Sequence, residues 1–141
     1  MSLSKIADVA VSGLLAQRLR MVVTASNIAN SETTRSAEGG AYQRRDPVFE
    51  AKRLDAGFGS TLEGALRAVE VPRVEVDARP GPMRFEPGHP DADPDGYVQM
   101  PNVNLVEEMT NMMAAQRSFE ANLLALRKAR EMGDAALRIG R

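Results

Sequence analysis

Residues 101–141 read PNVNLVEEMTNMMAAQRSFEANLLALRKAREMGDAALRIGR. Within them Leu105, Met109, Met112, Phe119, Leu123 and Leu126 recur at alternating three- and four-residue steps, with Gln116 in one slot. That spacing lays a seam along one face of an α-helix, close to the coiled-coil period. Asn104 is placed to cap the first turn, and Glu107 follows three residues on, as in a capping box. Glu107 and Glu108 suit the positive end of the helix dipole, and Arg127, Lys128, Arg130 and Arg138 the negative end. Gly140 is a suitable stop. Beyond Leu126 the seam slips: Arg130 and Gly133 take its slots, while Ala129, Met132, Ala136 and Ile139 continue a face beside it. The helix therefore meets more than one neighbour. At about 1.5 Å per residue it would span about 50 Å, too long for the core of a compact domain of this size. Its apolar face implies contact with another helix, in the same molecule or in a different one.

The obvious partner lies at the other end of the chain. Between Leu3 and Ala29 a stripe of Leu3, Ala7, Ala10, Leu14, Met21 and Ile28 runs at helical spacing, with Gln17 and Thr24 as polar gaps. Val11, Leu15, Val22, Ala25 and Ala29 widen it. The alanines and Gly13 permit close approach of a second helix. Only Lys5, Asp8, Arg18 and Arg20 are charged, so such a helix needs a cover.

Between the two helices the helical period disappears. Residues 31–41 are polar and contain two glycines, and Tyr42 to Glu50 reads as a strand that Pro47 restricts to an edge. Gly57, Gly59 and Gly64 punctuate a second polar segment. Val69, Val71, Val74 and Val76 flank Pro72, which predicts either one strand with a bulge or two short strands. Arg79 to Pro82 is turn chemistry, Met83 to Phe85 a short strand, and Tyr97 to Met100 a brief pairing segment that Pro101 ends. All eight prolines lie from Pro47 to Pro101. The predicted class is thus mainly α with a β-rich insert. Residues 1–30 and 103–141 form a coiled-coil-like helical domain, and 31–102 an irregular, β-hairpin insert.

Composition limits the function. The 141 residues carry a formal charge of −1, so there is no strong pull toward nucleic acid or acidic lipid. The insert holds nine basic and thirteen acidic residues, which leaves the two ends mildly basic, an asymmetry too small to name a partner. There is no Cys or Trp, so thiol chemistry is absent and the core must use Leu, Val, Ile and the eight Met. No apolar run approaches the roughly 20 residues of a membrane span. Asp8, Gln17 and Arg18 interrupt the first apolar stretch, which argues against a cleavable signal peptide.

Candidate chemical sites fail one by one. Asp91, Asp93, Asp95 and Gly96 open like a calcium loop, but Asn102 stands where the bidentate Glu is required, and Pro94 and Pro101 obstruct the geometry. His89 is the only histidine, beside Gly88 and Pro90, and reads as a turn residue bonded to backbone. Arg44-Arg45 lacks the basic run or aromatics of a nucleic-acid surface. Met109, Met112 and Met113 resemble an adaptable groove but sit at packing positions. Catalytic, cofactor and metal residues are therefore expected to be none. At the first helix's end, Asn27 and Asn30 are placed to satisfy its last carbonyls and to tolerate left-handed geometry.

The segment ASNIANSETTRSAEGGAYQRRDPVF, after a long N-terminal helix, resembles the signature of bacterial flagellar basal-body rod proteins. GHPDADPDGYVQMPNVN and the helix after it resemble the C-terminal half of that family, most of all its proximal-rod members. The resemblance covers about two thirds of the chain and contributes little between Lys52 and Glu86. It implies a structural subunit, exported uncleaved by the flagellar type III apparatus, that assembles with copies of itself and with other rod proteins to carry torque from motor to hook. It also implies that Asn27, Ala29, Asn30, Thr33 and Thr34 shape the turn between helix and insert. The helical seams supply the expected assembly interface: Leu14, Met21, Ile28, Leu105, Met109, Met112, Phe119, Leu123 and Leu126. Long helices without tertiary cover are marginal, so the terminal segments are expected to be partly disordered before assembly. The remaining alternatives are a small helical adaptor or chaperone and a calcium-dependent module.

Overall fold

In a computed structural model, residues 3–53 and 66–139 are described. Six elements follow in order: α1 (Leu3–Ala29), β1 (Arg45–Arg53), β2 (Arg67–Val76), β3 (Met83–Phe85), β4 (Tyr97–Gln99) and α2 (Leu105–Ile139). The protein is mainly α, with two long terminal helices and a β insert. The valines around Pro72 form one strand. Gly57, Gly59, Gly64 and Gly140 lie outside the described residues. The strands make two separate two-stranded sheets, β1–β2 and β3–β4. The chain divides into two compact units: Met1–Leu19 with Val48–Arg73 and Ala114–Arg141, and Arg20–Pro47 with Val74–Met113.

In the first unit the buried residues are small. Ala10, Ala16, Ala115 and Ala129 are covered, with Leu126 the largest among them. Gly13 faces Asn122 so closely that a Cβ there would lie 2.7 Å from Asn122 Nδ2, so any other residue would displace the amide. Small residues let helix backbones approach, at the cost of little buried apolar area. β1 and β2 are tied by Lys52–Glu70 at 3.0 Å and Glu50–Arg73 at 3.6 Å, whose order along the strands makes them antiparallel. Both pairs are exposed, so each contributes at most about 1 kcal/mol. Ser12 Oγ joins the ribbon to α1 by accepting from the Val69 amide at 3.0 Å.

The second unit holds the antiparallel β3–β4 hairpin, in which Met83 pairs with Gln99, Arg84 with Val98 and Phe85 with Tyr97. Val98 points inward and is buried, as is Met100, whose amide donates to Pro82 O at 2.9 Å. Gly81 allows the chain to pass against itself here: a Cβ at that position would overlap the Met100 carbonyl oxygen. The acidic loop before β4 is closed by Asp93. Its Oδ1 accepts from the amides of Asp95 at 3.0 Å and Tyr97 at 2.8 Å, and Gly96 takes a φ of +83°. Asp91 accepts from Thr34 at 2.9 Å and pairs with Arg35 at 3.1 Å. Two of the three aspartates are thus occupied by the chain itself. His89 Nδ1 accepts from the Asp91 amide, in keeping with a turn residue.

Asn104 caps α2, its Oδ1 accepting from the amides of Val106 at 3.1 Å and Glu107 at 3.3 Å. Of the seam read from the sequence only Leu126 is fully buried, and the rest of the buried face of α2 lies beside it. Glu108, Ala115, Leu126 and Ala129 are buried, whereas Leu105 and Met109 are 48% and 54% exposed and Gln116 is exposed. Hydrophobicity alone favours the Leu/Met stripe. Within the molecule the helix instead turns toward the face that carries small side chains and a carboxylate with dedicated partners.

Candidate functional site

The most organised polar cluster sits where α1 hands over to the insert and α2 begins, entirely within the second unit. α1 ends by tight turns. Asn30 donates to Ser26 O through both its backbone amide, at 3.1 Å, and its Nδ2, at 2.9 Å, which satisfies one of the last helical carbonyls. Thr33 Oγ1 donates to Asn30 Oδ1 at 3.2 Å, and the Tyr42 amide donates to Thr33 O at 3.0 Å, closing the loop on itself. No residue except glycine has a positive φ among those described, so the left-handed geometry expected of the two asparagines is not used. Gly39 and Gly40 carry the positive φ of this loop instead.

Asn27 does not cap the helix; it is the centre of the cluster. It is 1% exposed and uses its whole amide. Nδ2 donates to Arg45 O at 2.8 Å and to Glu108 Oε2 at 2.9 Å. Oδ1 accepts from the Tyr42 hydroxyl at 2.9 Å and the Arg45 amide at 3.0 Å. A side-chain amide has two donors and two acceptor sites, and here all four are filled.

Glu108, also 1% exposed, ties α2 into the same cluster. Its other oxygen accepts from Arg44 Nε at 2.8 Å and, more weakly, from Asn111 Nδ2 at 3.5 Å. Burial opposes the charge on Arg44, but the hydrogen bond and charge of Glu108, with Asp46 behind them, outweigh it and raise the Arg44 pKa. Arg20 donates to Asn111 Oδ1 at 3.3 Å. Together, Arg20–Asn111 and Asn27–Glu108 set α1 and α2 antiparallel in this unit.

Asn102 completes the arrangement. Its Oδ1 accepts from the Arg44 amide at 2.7 Å, and its Nδ2 donates to the carbonyls of Asp77 and Arg79, each at 2.9 Å. Asp77 is held by the side chain and amide of Arg79, which lower its pKa to about 2. One buried asparagine, one buried glutamate and one bridging asparagine therefore lock α1, the first strand's approach, the turn after β2 and the start of α2. A buried carboxylate whose oxygens are taken up by Asn27, Arg44 and Asn111 has a structural use, and no nucleophile lies among its partners. Sequence reasoning singled out Asn27 and Asn30 but missed Glu108, Asn102 and Tyr42, whose roles need partners many residues away.

The residues of the expected assembly interface lie apart from this cluster. Leu14, Met21, Ile28, Met112, Phe119 and Leu123 are partly covered, Leu126 is buried, and Leu105 and Met109 are open. Of the expected motif, Asn27 is buried, Asn30, Thr33 and Thr34 are partly covered, and Ala29 is exposed. Large apolar side chains also stand in solvent on α1 (Val11, Leu15, Val22) and on α2 (Val106, Met113, Leu124). No described helix is long and apolar enough to cross a membrane.

Comparison with known proteins places the two ends of this arrangement in one family. Residues 8–35 match the family described as flagella basal body rod protein, and residues 95–139 match flagellar basal body rod FlgEFG protein C-terminal. Asn27 and Asn30 fall in the first match, and Asn102 and Glu108 in the second. The chain is 39% identical to a flagellar basal-body rod protein FlgC of Salmonella typhimurium, over 99% of both chains. It is 38% identical to the FlgC of Borreliella burgdorferi, over 94% of this chain and 93% of that one. With the FlgC of Bacillus subtilis the identity is 35% over 95% of both. The chain belongs to the FlgC family of flagellar basal-body rod proteins.

Proposed function

We propose that this chain builds the proximal rod by packing its terminal helices against those of its own copies and of other rod proteins. It is a structural protein of the flagellar basal body and not an enzyme. The single observation that carries the assembly reading is the set of large apolar side chains left outside on both helices. Val11, Leu15 and Val22 follow one another along α1, and Leu105, Val106, Met109, Met113 and Leu124 along α2, all at least 40% exposed. Patches of this kind mark interaction surfaces. Apart from Val23 and Leu126, the inward faces use Ala, Gly and polar residues, which specify a register and leave the larger hydrophobic gain to intermolecular contact.

In this reading residues 1–30 and 103–141 become the coiled-coil-like axial domain, and 31–102 the outer insert. Leu14, Met21, Ile28, Leu105, Met109, Met112, Phe119, Leu123 and Leu126 contribute to its seams. The motif Asn27, Ala29, Asn30, Thr33 and Thr34 shapes the turn between helix and insert. The assembled rod crosses the periplasm and carries torque from motor to hook. Its subunits reach it through the flagellar type III export apparatus without loss of a signal peptide. The helix segments distant from the Asn27–Glu108 cluster order on docking, because little apolar area holds them in the free monomer. A helical adaptor or chaperone is not favoured, since the relatives that match are rod proteins.

The test is electron microscopy of basal bodies from a strain lacking this gene, beside the complemented strain. Loss of the rod and of everything distal to it, restored by complementation, is expected. Normal rods in the deletion strain would refute the proposal.

A further inference from the structure

The β3–β4 hairpin and the α1–β2 groove are features that the helix-seam reading leaves unused. Phe85 and Tyr97 are directly paired and so share one face of the hairpin with Met83, and all three are exposed, Phe85 at 61%. Phe85 is not loose. Its ring meets Tyr97 edge to face with centroids 5.2 Å apart. It also packs against Gly96, where a Cβ would come within 2.9 Å of Phe85 Cε2. An exposed aromatic that is already held in place loses little entropy on binding, which is the character of an interface anchor.

The groove is lined by Val22, Val23, Ser26, Arg45, Val74 and Val76 and has a volume of about 300 Å³. Four of its six lining residues are valines, three of them exposed, and Arg45 provides its cation. An apolar cavity of about 150 Å³ accepts a benzene-sized ring, so the groove has room for a phenylalanine with part of a neighbouring side chain.

The charges around the two features match. Flanking Phe85 in the sequence, Arg84 pairs with Glu86 at 2.7 Å; at the groove, Arg45 pairs with Glu38 at 3.1 Å. Both pairs are exposed, so they can exchange partners, Glu86 to Arg45 and Arg84 to Glu38, at small cost. Knob and groove share no residue. A contact between them is heterologous and passes from copy to copy, which suits an extended assembly.

We infer that Phe85, supported by Met83 and Tyr97, inserts into the valine groove of a second copy of this chain, with Glu86 meeting that copy's Arg45. This rests on the rod-subunit reading and gives it a contact between insert and helix in addition to the helical seams.

The chain has no cysteine, so a designed pair can be read without background. Basal bodies carrying Phe85→Cys with Val22→Cys in the same chain are oxidised and run on denaturing gels. A ladder of dimers, trimers and higher species is expected from the double variant, while either single variant stops at the dimer. A double variant whose rods are visible by microscopy but which gives no ladder overturns the inference and leaves the rod-subunit reading intact. Where the cysteine pair itself prevents rod formation, reciprocal charge exchange decides. Arg45→Glu and Glu86→Arg should each shrink the swimming halo, and the double exchange should restore it. Failure of the double exchange to restore swimming overturns the inference.

Discussion

Replacing Asn27 by Asp preserves shape and reverses two hydrogen bonds. In the Asn27→Asp variant one carboxylate oxygen still accepts from Tyr42 and the Arg45 amide. The other oxygen, where Nδ2 stood, now faces Arg45 O and Glu108 Oε2 at the 2.8 and 2.9 Å of the native bonds. Two carboxylates at that distance in a buried site retain a proton between them, so the pair's folded pKa rises. Taking that proton at pH 7 from an Asp of ordinary pKa near 3.9 costs about 4 kcal/mol, falling to about 1.5 kcal/mol at pH 5. The shared proton can serve Glu108 or Arg45 O but not both, which adds about 1 kcal/mol. Asn27→Ala loses all four bonds, at about 3–4 kcal/mol, but creates no second charge. Because the folded pKa is raised, the sign is definite: Asn27→Asp is most stable in acid and loses stability as pH rises. Urea unfolding of the full chain at pH 5 and pH 7 measures this. Asn27→Asp should be the less stable variant at pH 7 and should regain about 2–3 kcal/mol at pH 5, while Asn27→Ala changes little. Adding Glu108→Gln to Asn27→Asp should recover most of the loss, since the new amide can donate to the introduced carboxylate. Equal, pH-independent losses for both single variants would show that Asn27 and Glu108 are not in contact in the folded chain.

Leu15→Asp replaces a side chain that is 61% exposed, so monomer stability should change by no more than about 0.5 kcal/mol while rods and motility are lost. Wild-type swimming in that variant would remove this stripe of α1 from the assembly surface. Gly81→Ala places a methyl group against the Met100 carbonyl, and thermal unfolding should show a loss of about 2 kcal/mol or more. Asp77 has its pKa lowered from 3.8 to about 2 by Arg79, so its contribution is present above about pH 3.8 and fades as pH falls toward 2. Asp77→Asn should therefore make the acid limb of the stability curve shallower in that window.

The two helices, their extents and the cap at Asn104 were legible in the sequence because they depend on local periodicity and on side chains within a few residues of the backbone they serve. The short strands at Met83 and Tyr97 were legible for the same reason, being bounded by proline and glycine. The face that α2 turns inward was legible only in part, at Leu126. Leu105 and Met109 make the more apolar stripe of α2, yet Glu108 is buried in preference. Burying a carboxylate becomes favourable only when Asn27, from 81 residues away, and Arg44, from 64 residues away, supply its hydrogen bonds. Asn27 itself was visible as part of a motif, but its partners at Tyr42, Arg45 and Glu108 were not, and they move it from helix cap to hub. Local hydrogen bonding and apolar spacing are properties of neighbours along the chain, and sequence alone determines them. Whether a polar group is buried depends on which distant donors meet it, and only the tertiary structure decides that.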